Sequence, residues 1–422
     1  MDSRLRAYLR HTSWPIILAM AALLAVGVLS IRAAEAGATS VRLYRQLAYC
    51  AVALAAFFAA TAVPYPRFGE LAYPLFGLVL GLLVLVLLLP PVKNVHRWIT
   101  LGPIQVQVSE LAKLSYILML AWYLRYRDNY RRLAGLALPL ALTFVPMALV
   151  LTEPDLGTAL LFLPTLYFML FMAGAKLRHL LGIVAAGTLL VVLPLPMERQ
   201  AAGQLEAIAY GWGSHKVIRA GGREYVLLAA PLSKMEPHQA NRIVGWLRQD
   251  DPDVSFQLAR SKMLIGAGGL AGRGGWDDRP GFFAALPERH TDFIFSVIAG
   301  QWGLAGCLAV LGVYAAIFVV GLEIAVLTHD AFGRLLAIGV LALMTSQMIV
   351  NVSMTMGLLP VTGMTLPLVS YGGSSLVVNG AALGLLVNVG NHRPILLARR
   401  PFEFTEKEQP APEAGATRTR GR

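Results

Sequence analysis

Charged side chains are scarce in this 422-residue chain, and cysteines are scarcer still. Only 14% of the residues are charged, whereas 56% are hydrophobic. That balance excludes an ordinary soluble domain, in which about a quarter of the residues are charged, and is typical of a helical protein that crosses a membrane many times. The two cysteines, Cys50 and Cys307, lie inside apolar runs, which indicates small core residues and not a disulfide framework.

Two common functional signatures are also missing from the sequence. The glycines between residues 265 and 275 follow no strand pattern and precede no Gly-Lys-Ser/Thr, so they end a helix and do not cradle a phosphate. No nucleic-acid-binding module is recognisable, although the formal net charge is +12. The basic residues fit anionic lipid headgroups on one side of a membrane and an anionic substrate on the other.

Long apolar runs are abundant, and about ten of them are long enough to span a bilayer. They cover roughly 14–33, 46–63, 71–90, 109–126, 133–152, 156–175, 179–196, 293–327, 335–357 and 376–395. The sequence therefore predicts an all-α polytopic membrane protein of about ten transmembrane helices, with a large extracytoplasmic loop between helices 7 and 8. We expect one transmembrane domain over residues 1–400, which includes the loop at 197–291, and a disordered cytoplasmic tail over 401–422.

Basic residues in short loops predict the orientation of the chain in the membrane. With ten spans, the basic residues at both ends of the chain and in the 125–132 loop fall on one side, which the positive-inside rule makes cytoplasmic. Both termini are then cytoplasmic and the segment 197–291 is outside. Arg32, Arg42 and Arg45 in the first external loop violate the rule.

Four segments carry polar residues at the predicted outer ends of the spans. In the first, Arg97 and Trp98 precede a helix that Ser109 can cap, and Glu110 and Lys113 lie three residues apart on one face of that helix. An acid and a base one turn inside a membrane helix face each other or a polar cavity. A simple ion pair and a pocket open to the outer face both fit, and the two upstream residues favour the pocket.

The other three segments add a turn, a loop and an acidic cluster. The turn around Asp155 needs no function beyond capping the next helix. The segment 357–375 is uncharged and broken by glycine and proline, and irregular backbone at membrane depth requires burial in protein or a cavity to line. In 287–295, charged residues that either cap a helix or serve a site precede an apolar run, and Asp292 is the last acid. Convergence of all four on one face predicts a site there.

Between the seventh and eighth spans, the pattern predicts two interfacial amphipathic helices. The first begins near residue 238. The second has Phe256 and Met263 on its apolar face and Ser261 off that face. Residues 197–236 have no pattern that assigns them a structure.

Together these segments resemble the SEDS family of membrane proteins, in order from about residue 10 to residue 396. The resemblance rests on Arg97-Trp98, Gln107-x-Ser109-Glu110-x-x-Lys113, Pro154-Asp155-x-Gly157-Thr158, Arg242, Gln257, Ile265-Gly266-x-Gly268-Gly269, Pro287-Glu288-x-His290-Thr291-Asp292-Phe293, Leu359-Pro360-x-Thr362-Gly363 and Ser370-Tyr371-Gly372-Gly373-Ser374-Ser375. The Glu288-Arg289-His290 form is more similar to the RodA (elongation) branch than to the FtsW (division) branch.

The resemblance implies a peptidoglycan glycosyltransferase that polymerises lipid II on the outer face of the bacterial cytoplasmic membrane. It implies Asp292 as the catalytic residue. The substrate-binding residues that it implies are Arg97, Trp98, Glu110, Lys113, Asp155, Arg242, Gln257, His290 and Ser370. The implied partners are lipid II, membrane lipids and a class B penicillin-binding protein that crosslinks the glycan, with no nucleic acid. No organic cofactor is expected, and Mg²⁺ or Mn²⁺ is a candidate to help stabilise the departing pyrophosphate.

The sequence departs from the family pattern at several positions. Val108 stands where the family usually has Pro, Ser255-Phe256-Gln257 replaces Gly-Tyr-Gln, and Arg260 replaces a usual Gln. Gly300-Gln301 replaces a usual acidic pair, and residues 199–236 look like an insertion.

Two other functions fit parts of the pattern. Broken helices and a polar cluster in the membrane also suit a flippase for lipid-linked cell-wall precursors. A flippase needs polar groups that are reachable from both faces, whereas the charged and irregular segments here cluster on one. A scaffold that only binds a transpeptidase leaves the Asp292 segment unexplained.

Overall fold

The computed structural model describes residues 13–35, 41–91, 95–101, 104–126, 132–153, 155–192, 197–198, 216–220, 223–227, 237–249, 255–273 and 286–392. The helices are α1 (Trp14–Ala34), α2 (Val41–Ala62), α3 (Tyr65–Glu70), α4 (Ala72–Leu88), α5 (Val108–Leu124), α6 (Ala137–Thr152), α7 (Leu156–Ala173), α8 (Leu177–Val192), α9 (Pro237–Leu247), α10 (Phe256–Gly268), α11 (Ile294–Leu327), α12 (Ala331–Met356) and α13 (Gly373–Asn391). The strands are β1 (Trp98–Leu101), β2 (Ile104–Gln107), β3 (Met197–Glu198), β4 (Lys216–Ala220) and β5 (Arg223–Leu227).

Each predicted span overlaps one of these helices. Within the described ranges, seven helical stretches are long and apolar enough to cross a membrane, namely α1, α2, α7, α11, α12, α13 and Leu133–Thr152, which joins a 3₁₀ turn to α6. The other three, α4, α5 and α8, have 17, 17 and 16 residues, fewer than the roughly 20 that a span usually needs. The prediction of an all-α polytopic membrane protein is confirmed, whereas the count of ten spans stays a prediction. The predicted tail over 401–422 lies outside the described residues.

The strands were not predicted from the sequence. β1 and β2 form an antiparallel hairpin in which Trp98 pairs with Gln107. β2 leads directly into α5, which begins at Val108, so Ser109 lies inside the first helical turn and does not cap it. In the segment that gave no pattern, β3, β5 and β4 form a three-stranded antiparallel sheet in that order.

The helices predicted between the seventh and eighth spans are present as α9 and α10. The predicted apolar face of α10 is directed away from the protein interior, as suits an interfacial helix, because Phe256 and Met263 are 47% and 63% exposed. Ser261, which lies off that face, is fully buried. The Ser261 hydroxyl lies 2.6 Å from the Ser296 hydroxyl and donates to the Thr355 carbonyl at 2.7 Å. Apolar periodicity in a membrane protein marks a face that avoids water, and that face can meet lipid as well as protein.

The long helix α11 is broken once, at Gly303, where φ is 64° and ψ is −159°. The break leaves backbone groups that pair with the chain just after α10. Leu304 donates to the Gly269 carbonyl at 2.9 Å, and Ala305 donates to the Leu270 carbonyl at 3.0 Å. The nine residues before the break therefore form a separate short segment that packs against the end of α10.

Helix α2 lies very close to α13. A side chain at Gly380 or Gly384 would meet the backbone carbonyl of Ala53 or Phe57, respectively. Two glycines four residues apart permit this close approach of two membrane helices. At the beginning of α13, a Cβ atom on Gly373 would lie 2.8 Å from the Tyr49 ring. The packing places the first turns of α2 beside the loop that precedes α13.

Candidate active site

A cavity of about 880 Å³ lies at one end of the helices, where all four predicted polar segments meet. It is lined by residues of the β1–β2 hairpin, the first turns of α5 and α7, the segment 288–292 and the loop 362–375. Eight predicted site residues line it, namely Arg97, Trp98, Glu110, Lys113, Asp155, Arg242, His290 and Asp292. The expected convergence of the four segments on one site is therefore present in the fold.

Two predicted site residues do not line this cavity. Gln257 lies on α10 and is partly buried. Ser370 is 3% exposed, and its hydroxyl accepts from the Leu366 backbone N–H at 2.7 Å and donates to the Thr291 carbonyl at 2.6 Å. With both contacts made inside the protein, Ser370 holds the loop to the Asp292 segment and does not present its hydroxyl to a substrate.

The backbone that presents Asp292 is held by three hydrogen bonds to successive carbonyls. The carbonyls of residues 290, 291 and 292 accept from the Tyr371 backbone N–H, the Ser370 hydroxyl and the Asn351 side-chain amide, at 2.8, 2.6 and 2.9 Å. The donors belong to α12 and to the loop before α13. Because each bond restrains a different peptide unit, the direction of the Asp292 side chain is set by the loop and by α12.

Asn351 belongs to a polar stripe on the otherwise apolar helix α12. Gln347, Asn351 and Thr355 lie four residues apart, and all three are buried. The Asn351 amide also donates to the Met364 carbonyl at 2.6 Å, and the Gln347 amide donates to the Thr365 carbonyl at 3.0 Å. Sequence reasoning missed this stripe, although polar residues at helical spacing inside an apolar span were a visible signal.

Burial raises the pKa of the Asp292 carboxyl to about 6. Arg242 opposes that effect, whereas Glu288 and Asp155 add to it. A Cβ atom on Gly363 (φ 77°) would lie 3.1 Å from Arg242 Nη1 and 3.3 Å from Asp292 Oδ2, so the cation and the carboxylate meet beside this glycine. A carboxyl that ionises close to neutral pH beside a cation is suited to taking a proton from a substrate.

The Asp155 carboxylate is occupied by contacts within the protein. Its Oδ1 atom accepts from the Thr158 backbone N–H at 3.2 Å, which confirms the predicted helix cap. Its Oδ2 atom accepts from Thr158 Oγ1, Gln107 Nε2 and Ser109 Oγ at 3.0, 2.9 and 3.2 Å. The predicted cap at Ser109 is therefore replaced by a bond to Asp155. The Thr158 contacts lie within the start of α7, whereas the Gln107 and Ser109 contacts join the end of the β1–β2 hairpin and the first turn of α5 to α7.

Glu110 and Lys113 form a buried ion pair within the cavity wall. Lys113 Nζ lies 2.9 Å from the Glu110 carboxylate, and the two residues are 2% and 5% exposed. The ion pair expected as one alternative is present, and the two residues also line the pocket. Two charges this buried depend strongly on each other.

Glu153, which precedes Asp155 in the turn, is fully buried behind the cavity. Burial raises the pKa of its carboxyl to about 8, Asp155 raises it further, and Arg97 opposes the shift. The Arg97 Nε atom donates to the Glu153 backbone carbonyl at 2.6 Å. Neither carboxyl oxygen of Glu153 has a hydrogen-bond partner among the described residues. Glu153 is therefore protonated at neutral pH.

Three further cavity residues, Arg42, Arg45 and Tyr49, lie on α2 and were not predicted as site residues. The Tyr49 and His290 rings pack edge-on against the Tyr371 ring, with centroids 6.0 and 5.7 Å away. Arg45 hydrogen-bonds the Tyr371 side chain. The violation of the positive-inside rule was the signal in the sequence, because basic residues on the outer side need a local reason to be there.

A family model described as "Cell cycle protein", which covers FtsW, RodA and SpoVE, matches residues 10–394. The match includes every segment that lines the cavity. The chain belongs to the FtsW/RodA/SpoVE family. Membership confirms the resemblance drawn from the sequence motifs, and the cavity of this FtsW/RodA/SpoVE member is formed by the same motifs.

Curated relatives match over most of their own length. The chain is 30% identical to the peptidoglycan glycosyltransferase RodA of Treponema pallidum, over 89% of this chain and 96% of the relative. It is 33% identical to the peptidoglycan glycosyltransferase MrdB of Escherichia coli, over 72% of this chain and 73% of that relative. It is also 33% identical to a probable peptidoglycan glycosyltransferase FtsW of Marinobacter nauticus, over 96% and 93%.

Solved structures match the fold as well as the sequence. One is a chain from a peptidoglycan synthase complex in which polymerisation and crosslinking are coordinated, with a TM-score of 0.72 and 31% identity, covering 91% of this chain and 99% of that chain. Another is the rod shape determining protein RodA of Thermus thermophilus, with a TM-score of 0.62 and 29% identity, covering 91% and 98%.

Proposed function

We propose that this chain is a peptidoglycan glycosyltransferase that polymerises lipid II into glycan strands during cell-wall elongation. The observation that carries the proposal is Asp292, a carboxyl with a pKa of about 6 that lines a polar cavity beside Arg242. Relatives named as peptidoglycan glycosyltransferases, 30–33% identical to this chain, support it. The elongation role is proposed from the Glu288-Arg289-His290 form of the motif.

In the proposed reaction, the 4-hydroxyl of one lipid-linked disaccharide attacks C1 of another. The bond between C1 and the pyrophosphate oxygen breaks, and its electron pair leaves with undecaprenyl pyrophosphate. A single displacement inverts the α-linked donor and gives a β-1,4 product. Asp292 takes the proton from the attacking hydroxyl, a contribution typically worth about 10²–10⁴ in rate.

Positive charge beside the departing pyrophosphate stabilises the transition state. Arg242 lies beside Asp292, which puts a cation at the same centre as the base. Arg97 and Lys113 also line the cavity and are proposed to share this task. Lys113 is already paired with Glu110, so its charge is held in place by the fold.

A divalent cation, Mg²⁺ or Mn²⁺, is proposed to assist. Such an ion would neutralise charge on the pyrophosphate as a Lewis acid. In the part of the chain that the structure describes, no three His, Cys, Asp or Glu side chains cluster closely enough to hold a metal by themselves. Mg²⁺ commonly binds through one or two carboxylates together with substrate phosphates. Glu288 lines the cavity and fits that arrangement.

The proposed setting is the bacterial cytoplasmic membrane, with both termini cytoplasmic and the cavity on the extracytoplasmic face. Basic residues in the short loops support this orientation. A class B penicillin-binding protein is the proposed partner, because the chain resembles part of a peptidoglycan synthase complex. The rival flippase function is less well supported, since the described cavity residues come from one end of the helices.

The test is glycan formation from purified lipid II in detergent, with Mg²⁺ or Mn²⁺ and with or without the cognate class B penicillin-binding protein. Wild type should form polymer, whereas a folded Asp292→Asn variant should form almost none. Glu70→Gln is the matched control, because Glu70 is an exposed acid that does not line the cavity. Absence of polymer from the wild type under all these conditions would favour the flippase or scaffold.

A further inference from the structure

The arginines of α2 form a cationic surface on one side of the cavity. Arg42 and Arg45 are three residues apart and Tyr49 follows four residues later, so the three side chains lie on one face of the helix. Both arginines are exposed, and both line the cavity. The close packing of α2 on α13 fixes the position of this face relative to the loop that precedes α13.

These two cations keep exposed surface in addition to their contacts with the protein. Arg42 lies 3.2 Å from the Glu35 carboxylate; the Glu35 side chain is 8% exposed, whereas the Arg42 side chain is 52% exposed. The hydrogen bond from Arg45 goes to the side chain of Tyr371, which is a neutral partner. In contrast, Lys113 is itself buried together with its partner Glu110. A pair of exposed arginines that lines a cavity is an attractive site for an anion.

The α2 arginines and Arg242 lie near different residues of the Asp292 segment. Arg242 lowers the pKa of the Asp292 carboxyl, and the two side chains meet beside Gly363. Arg42 lowers the pKa of the His290 ring, which packs against Tyr371. The cavity therefore has one cation beside the proposed base and a separate cationic pair on the His290 and Tyr371 side.

The proposed reaction needs two anionic sites in one cavity. The donor pyrophosphate is bonded to the reacting C1, so it must lie beside Asp292 and Arg242. The acceptor also carries a lipid pyrophosphate, but the whole disaccharide separates that group from the attacking 4-hydroxyl. We propose that Arg42 and Arg45 bind the pyrophosphate of the acceptor lipid II, an inference that rests on the glycosyltransferase function proposed above.

The test counts bound lipid II and measures its use in separate experiments. Native mass spectrometry of Asp292→Asn in detergent, titrated with lipid II, should give two bound molecules, and adding Arg42→Gln and Arg45→Gln should leave one. With Asp292 intact, the double variant should raise KM for lipid II at least about tenfold while kcat is largely retained, since a hydrogen bond to a charged group is worth about one tenfold step or more. Lysine at both positions should restore part of the affinity.

The control is Arg32→Gln, which removes an exposed arginine at the end of α1 that does not line the cavity. It should leave the count at two and KM unchanged. Melting temperature and elution profile in detergent establish that each variant is folded. Two bound molecules and an unchanged KM in the double variant, or one bound molecule in Asp292→Asn alone, would overturn the proposal. If the wild type forms no polymer, the glycosyltransferase function fails, and the count still reports on the arginines.

Discussion

Removal of Arg242 should move the pH dependence of catalysis in a defined direction. Asp292 must be ionised to act as a base, so the rate should fall as the pH drops below about 6. Arg242 lowers the pKa of Asp292, so replacing it with glutamine should raise that pKa and move the acid limb to higher pH.

The size of the shift follows from the position of Gly363. A Cβ atom added to Gly363 would lie 3.1 Å from Arg242 Nη1 and 3.3 Å from Asp292 Oδ2. The two charges are therefore within about 6 Å of each other. At an effective dielectric constant of about 20, that separation corresponds to roughly 3 kcal/mol, or about two pKa units. Because Asp292 is partly exposed to the cavity, screening reduces the expected shift to about one unit.

The assay is the pH profile of kcat/KM for lipid II polymerisation, which reports on groups of the free enzyme. Arg242→Gln should also weaken substrate binding. That effect lowers kcat/KM over the whole pH range, but it does not move the midpoint of the acid limb. Arg260→Gln is the matched control, because Arg260 is exposed on α10 and does not line the cavity. An acid-limb midpoint that stays at the wild-type pH, or moves below it, would refute the electrostatic coupling of Arg242 to Asp292.

Three further predictions follow from buried groups around the cavity. Asn351→Ala should leave two carbonyls without a donor, lower stability by about 1–3 kcal/mol and reduce kcat far more than lipid II binding, as measured by melting and kinetics. The Glu153 carboxyl keeps its proton in the folded protein up to a pH of about 8, whereas the unfolded chain loses it near pH 4.5. The melting temperature of the wild type should therefore fall relative to that of Glu153→Gln as the pH rises from about 4.5 to about 8, and an equal pH dependence of the two melting temperatures would contradict this. Lys113→Met should destabilise by about 3–5 kcal/mol, and the added change Glu110→Leu should recover much of the loss in thermal melts; no recovery would exclude the ion pair as the cause.

Much of the fold could be predicted because the length of an apolar run is enough to predict a membrane span. Every predicted span overlaps a helix, and the four predicted polar segments line one cavity, because charged residues at span ends must be solvated, paired or used. On α10, the apolar stripe predicted the face that holds Phe256 and Met263, but it could not show that Ser261, off that stripe, is buried against α11 and α12. The β1–β2 hairpin was missed, since two four-residue strands leave almost no periodic signal.

The residues around the cavity that the sequence did not reveal share a physical reason. Arg42 and Arg45 belong to the site only because α2 packs closely on α13, and that approach depends on glycines more than 300 residues away in the sequence. Asn351 contributes through the backbone of Asp292, a contact that no local pattern records. Ser370 was predicted to bind substrate, but whether its hydroxyl faces inward or outward is decided by the fold of the loop.

The polar stripe on α12 has a consequence for how the protein is made. The Thr355 hydroxyl donates to the Val352 carbonyl of its own helix, but the Gln347 and Asn351 amides need partners outside it, and hydrocarbon solvates unpaired amides poorly. Asn351 donates to the earlier Asp292 carbonyl and to residue 364, whereas Gln347 donates to residue 365, and residues 364 and 365 are synthesised only after the helix is complete. Full pairing of α12 in lipid and completion of the cavity lining therefore depend on the same late-synthesised loop. A defect in the loop should first be seen as a chain that is degraded during membrane insertion, before any loss of turnover can be measured.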